Sequence, residues 1–209
     1  MFPLSTPSAR NAYDALVSSY HHGNLREALV EAAVELAREK GPDGLVLREV
    51  ARRTGVSHNA AYRHFADRDQ LVQEVASVAL AELAAAMRAK VGRVRAKDPQ
   101  DRARKRLRAT GQAYVEYALA EPGLFRVGFD EGSIGELAGP YQLLSEALDE
   151  CLEVGALPAA KRPGAELSCW AGVHGFSMLY GSGPLRDTPR RQRDADLTRL
   201  LDGIDDALR

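Results

Sequence analysis

The chain is poor in the residues that staple or metallate a fold. Among 209 residues there are two cysteines, Cys151 and Cys169. Their separation matches no metal-ligand spacing, and two sulfurs cannot build a disulfide framework. They fit a pair of buried, reduced thiols in a cytoplasmic protein, with a redox switch as the alternative. No run approaches the roughly twenty apolar residues of a membrane span. The N-terminus lacks a basic region followed by an apolar core, so no signal peptide is expected. No stretch alternates apolar and polar residues with the period of a strand. Neither a Gly-rich phosphate loop nor a nucleophile–base–orienter set can be assembled, which argues against an enzyme, a cofactor or a resident metal. Net charge is lacking too: 28 basic against 29 acidic residues leave −1, which alone points to no polyanionic partner.

What is present is apolar content, 45% of residues, and an uneven spread of charge. Residues 1–70 carry nine basic and nine acidic side chains, yet hold four of the five histidines: His21, His22, His58 and His64. Residues 88–108 carry ten basic and two acidic side chains, and residues 109–209 nine and sixteen. The N-terminal half is therefore the expected partner of a polyanion.

One stretch, Leu45 to Arg68, organises the rest. Leu47, Val50 and Ala51 share one face of a short helix, with Arg48, Arg52 and Arg53 on another. Gly55 supplies a residue that accepts φ > 0 at a helix C-terminus. Val56 can plug the corner, and Ser57 is a good N-cap for a second helix. Ala61 and Phe65, four apart, turn that helix inward, which leaves His58, Asn59, Tyr62, Arg63 and His64 pointing elsewhere. This is the pattern of a helix-turn-helix, whose second helix enters the major groove of DNA.

The remainder reads as helix. Residues 1–19, with Pro3 and Pro7, are expected to form a flexible arm. Asn24 and Glu27 resemble a capping box opening a helix through Leu25, Leu29, Ala32, Ala33 and Leu36, stopped by Gly41-Pro42. Val46 stands where a Ser or Thr cap is expected. Asp67 can cap a long alanine-rich helix from about Arg68 to Lys90, a rod joining the head to a second domain. Asp98-Pro99 is a turn signal inside the basic segment, which is a solvated loop or a second phosphate contact. Further helices are expected over 101–120, Leu124–Phe129, Tyr141–Val154, Ala165–Tyr180 and about Ala195–Leu208. The fold class is all-α.

Tyr20-His21-His22-Gly23-Asn24-Leu25-Arg26, the block Leu47 to Ser57, and Tyr62-Arg63-His64-Phe65 followed by Arg68 resemble the TetR family of bacterial transcriptional regulators. The sequence WAGVHGF, with Trp170, His174, Gly175 and Phe176, is similar to the signature of that family's WHG-type C-terminal regulatory domain. The resemblance implies a homodimer paired through its last two helices. It further implies a head of three helices on double-stranded DNA, and C-terminal helices enclosing a small-molecule effector. The domains are then an arm (1–19), a DNA-binding head (20–68) and a helical ligand-binding and dimerisation domain (69–209).

Carried onto matching positions, His58, Asn59 and Ala60 face base edges, since Asn pairs with adenine and Ala meets a thymine methyl. Tyr62, His64 and Arg68 match phosphate-binding positions. Arg48, Ser57 and Arg63 complete the expected DNA-facing set. Tyr114, Tyr117, Phe125, Phe129, Leu148, Trp170, His174 and Met178 are the candidate lining of an apolar pocket, with His174 as polar anchor. The expected function is a homodimeric repressor released from a palindromic operator by a small, largely apolar ligand. The alternatives are an activator of the same family and a helical protein-interaction module.

Overall fold

Pro7 and Pro42 bracket a stretch free of proline, and the first helix fills it. The computed structural model describes residues 9–130 and 138–209. There α1 runs Ala9–Lys40. It begins well upstream of Asn24, which lies inside a continuous helix rather than at its N-cap. No proline between Ala9 and Asn24 removes a backbone donor, and Gly23 alone, costing about 1 kcal/mol, does not break a helix. Residues 1–8 of the expected arm lie outside the described residues, while 9–19 and the His21-His22 pair belong to α1.

The turn chemistry then acts as read. Gly41 takes φ 67°, and a 3₁₀ turn over Pro42–Gly44 follows. Helix α2 (Leu47–Thr54) starts at Val46 with no side-chain cap and ends at Gly55, left-handed at φ 74°. Helix α3 (His58–Tyr62) is capped by Ser57, whose hydroxyl accepts from the Ala60 N–H at 3.2 Å. Asp67 caps α4 (Arg68–Val91) by accepting from the Gln70 N–H at 2.9 Å. The rest are α5 (Pro99–Ala120), α6 (Pro122–Asp130), α7 (Ala138–Glu153), α8 (Ala165–Gly181) and α9 (Arg190–Leu208). Among the described residues there is no strand, so the all-α expectation holds.

The core falls into three packed clusters. The first joins Leu29, Leu36, Leu45, Val50, Ala61, Phe65, Leu71 and Val75 to Leu124 and Val127 of α6. Arg26 braces it from outside, pairing with Glu74 at 2.5 Å and lying 5.2 Å from the Phe65 ring centre. The second cluster gathers Leu83, Met87, Tyr114, Phe125, Val173 and Phe176. The third holds Ala103, Leu148, Cys151, Leu157 and Cys169. Helix α4 threads the first two and is long and apolar enough, by length and composition, to cross a membrane, contrary to expectation. Half of its apolar window is buried against its neighbours, as in a core helix.

Half of the basic residues in 88–108 are held in ion pairs. Arg106 pairs with Glu150 on α7 at 2.9 Å, and Arg104 and Arg108 pair with Asp205 and Asp202 on α9 at 3.4 and 2.7 Å. Lys90 pairs with Glu116 and Lys105 with Asp101. Opposite excesses in two segments thus meet each other. The loop between α4 and α5 also lies about 36 Å from the start of α4, at 1.5 Å rise per residue.

Candidate functional site

Two places concentrate chemistry. The first is the outer face of α3. Ala61 is fully buried and Phe65 is 1% exposed, because their spacing puts both on the side that packs against α1, α2 and α4. The same geometry turns the rest outward. His58, Asn59 and Arg63 are exposed, Ala60 is half-buried, and Tyr62 is 45% exposed. The His58 and Tyr62 rings meet edge to face with centroids 4.5 Å apart, so each limits the other's rotamers. Ser57 is occupied as a cap, and His64 is half-buried.

The arginines around α3 divide into two sets. Arg52 donates to Glu49 at 2.7 and 2.9 Å, and that bond holds the Glu49 carboxyl down at about 2. Arg53 donates to Glu39 at 2.8 and 3.0 Å, which lowers the Glu39 pKa. Arg48 and Arg63 are exposed and form no ion pair with the described residues. Arg68 is turned inward: its Nε donates to the Leu45 carbonyl at 3.1 Å and an Nη to that of Pro42 at 3.0 Å. It ties the start of α4 to the link before α2, a role that spacing did not reveal.

The second place is a cavity between α4, α5, α6, α7 and α8. Tyr114, Phe129 and Trp170 line it, as expected, together with Met87, Thr110, Gly111, Pro140, Tyr141, Leu144, Cys169 and Val173. Its volume is about 30 Å³, room for about two waters and less than an aromatic ring needs. The Trp170 indole N–H donates to the Tyr114 hydroxyl at 3.1 Å, and that hydroxyl is 2.9 Å from His174 Nδ1. Burial pushes the Tyr114 pKa up, so the hydroxyl stays neutral. Phe125 packs against Tyr114 and Phe129 at centroid distances of 5.5 and 4.6 Å. Phe125 and His174 thus stand behind the wall rather than in it.

Three expected lining residues lie elsewhere. Leu148 is fully buried in the third cluster. Tyr117 donates to Glu82 at 3.3 Å. Met178 packs at the edge of the second cluster. All three lie on helices that reach the pocket, but helical spacing gives no pairing between helices. Met87, Leu144 and Val173 were legible only as core positions. Among the described residues no cluster of His, Cys, Asp and Glu could hold a metal ion.

A helix-turn-helix with an exposed polar second helix, followed by a helical body, defines a class of DNA-binding transcriptional regulator. Two family models match: one described as bacterial regulatory proteins of the tetR family, over residues 29–75, and one as a tetracyclin repressor-like C-terminal domain, over 107–204. The chain belongs to the TetR family, one of transcription regulators rather than enzymes. A helix-turn-helix transcriptional repressor from Mycobacterium tuberculosis is 42% identical over 48 residues, 23% of this chain and about a quarter (26%) of that protein. A protein of unknown function from Rhodococcus sp. RHA1 superposes with TM-score 0.75 at 29% identity, covering 90% of this chain and 97% of that one. A TetR variant from Acinetobacter baumannii AYE, solved in complex with minocycline, superposes with TM-score 0.59 at 21% identity over 85% and 92% of the two chains.

Proposed function

We propose that the protein is a homodimeric repressor that leaves a near-palindromic operator when a small, largely apolar molecule enters the α4–α8 cavity. One observation carries the DNA half: the inward side of α3 is sealed by Ala61 and Phe65, while His58, Asn59, Tyr62 and Arg63 stand in solvent. In this reading His58, Asn59 and Ala60 meet base edges in the major groove, and Tyr62, Arg63, His64 and Arg48 meet the backbone. Phosphate contacts supply most of the affinity and base contacts the discrimination. Arg68 is assigned to positioning α4, because two of its nitrogens already donate to carbonyls.

Pairing is assigned to α8 and α9, within a body spanning 69–209 below a head spanning 20–68. Leu167 and Leu179 of α8 are 69% and 45% exposed. An apolar groove of about 410 Å³ runs between the two helices past Gly172, Leu200, Gly203 and Ile204. A second copy covering that face sets two recognition helices on one side of a duplex, one turn or a multiple apart. The aromatic cavity supports the effector half. A ligand that binds a non-operator conformation better releases DNA by that difference in affinity. Activation uses the same contacts and is told apart by a transcription readout.

The test is selection of bound duplexes from a random pool, with the mass of the free protein measured in solution. Enrichment of a two-fold related site by a dimer is expected. A stable monomer, or a pool left without enrichment, overturns the reading.

A further inference from the structure

The cavity carries enough detail to name the class of its occupant. This rests on the regulator reading only in calling that occupant an effector. None of the described residues lining the cavity is charged. An ion placed there would lose its hydration with no counter-charge to replace it, which excludes carboxylates and ammonium compounds. The walls are aromatic: Tyr114, Phe129, Tyr141 and Trp170 contribute rings, and Tyr141 meets Trp170 edge to face at 6.0 Å. Such walls favour a flat ring over a branched alkane, because ring edges and faces pair.

The polar end is countable. A tyrosine hydroxyl has three hydrogen-bonding positions, one donor and two acceptors. At Tyr114, Trp170 fills one acceptor and His174 Nδ1 takes a second position. One position is left whichever ring nitrogen of His174 carries the proton: a lone pair if Tyr114 donates to His174, its own proton if it accepts. A hydroxyl on the ligand satisfies either case. Of the other hydroxyls on the wall, that of Thr110 donates to the Arg106 carbonyl within its own helix, and that of Tyr141 belongs to a ring 44% exposed to solvent. Size points the same way. With about 30 Å³ open, a ring enters only if side chains give. Met87 is the adaptable one, and each added volume of cavity costs core contacts, which favours one ring over several.

We infer that the cavity binds an uncharged, single-ring aromatic compound bearing a hydroxyl, a phenol, with the Tyr114 hydroxyl as the group that selects for it.

Trp170 is the only tryptophan in the chain, so its fluorescence reports on this cavity alone. The full-length protein is titrated with phenol, toluene, benzoate and benzylammonium near neutral pH. Phenol is expected to change the emission saturably and to bind about fivefold more tightly than toluene, the worth of one net hydrogen bond. Benzoate and benzylammonium are expected to leave it unchanged. In Tyr114→Phe, toluene affinity is retained and the preference for phenol disappears. Binding of either ion as well as phenol, absence of binding by both neutral rings, or no preference for phenol over toluene in the wild type overturns the inference. The wild-type series decides even if the variant folds poorly. Site-selective DNA binding is measured alongside. If it persists while no aromatic binds, this inference fails alone. If it is absent while phenol binds with the stated selectivity, the regulator reading fails and the assignment of the cavity stands.

Discussion

Arg38, near the end of α1, donates to both carboxylate oxygens of Glu82 on α4, at 2.9 and 3.0 Å. The same guanidinium reaches Glu121, at the junction of α5 and α6, at 3.1 Å, and Glu35 at 2.7 Å. One cation therefore ties the end of α1, within the head, to α4 and to the junction of α5 and α6. Tyr117 joins from α5 by donating to Glu82.

Removing that cation leaves Glu82 and Glu121 facing each other without a counter-charge. Arg38→Met is expected to cost about 1 kcal/mol, since the group is partly exposed and screened. Urea unfolding checks this, and the difference from wild type should shrink in about 1 M salt as the Debye length falls. A loss unchanged by salt would argue that the aliphatic stem, rather than the charge, is what matters.

Close beside it, α6 begins against the end of α1. A Cβ added at Gly123 would sit 2.3 Å from the Ala37 carbonyl oxygen, a backbone atom that cannot rotate away. Gly123→Ala is expected to destabilise by about 1–3 kcal/mol or more through overpacking, although it raises helix propensity. Thermal unfolding measures it, and a variant as stable as wild type would show that the two helices slide apart at little cost.

The cap of the recognition helix is a separate term. Ser57→Ala removes the acceptor for the Ala60 N–H and should cost about 1 kcal/mol. For a chain of this size that lowers Tm by about 2–4 °C. Because α3 has few residues to hold it, DNA affinity should fall further than global stability does.

On DNA, two neighbours on α3 should behave differently. Tyr62→Ala is expected to weaken all duplexes alike, roughly fivefold for one lost phosphate contact. Asn59→Ala should instead relax preference at one base pair by about 1–3 kcal/mol. Gel-shift titrations against the selected site and single-base variants separate the two. Equal affinity of wild type and Tyr62→Ala for the selected site would remove Tyr62 from the interface.

The cysteines offer a pH test. Burial pushes the thiols of Cys151 and Cys169 up to about 11 from 9.0. A raised folded pKa adds stability that is complete below the unfolded value and lost as pH rises through the folded one. Stability should thus decline between pH 9.0 and about 11, and less steeply in a Cys151→Ser, Cys169→Ser double variant. Iodoacetamide at pH 8 should label the denatured chain and spare the native one, since the thiolate is the nucleophile.

The sequence alone determined the local structure of the head. Periodic apolar residues, Gly55, Ser57 and Asp67 act within a few positions of themselves, so α2, the turn, α3 and the start of α4 were readable, and with them which side of α3 faces out. It did not reveal the true start of α1, because a capping pair at Asn24 and Glu27 looks the same inside a helix as at its end. Nor could it say which aromatics share a cavity. Tyr114, Phe129 and Trp170 meet while Tyr117 and Leu148 do not, and that depends on how helices cross, which side-chain shape settles in three dimensions. The inward turn of Arg68, the Arg38–Glu82 tie and the pairing of the basic segment with α7 and α9 belong to the tertiary structure alone. Charges choose partners by distance, and separations of tens of residues leave no periodic trace in the chain.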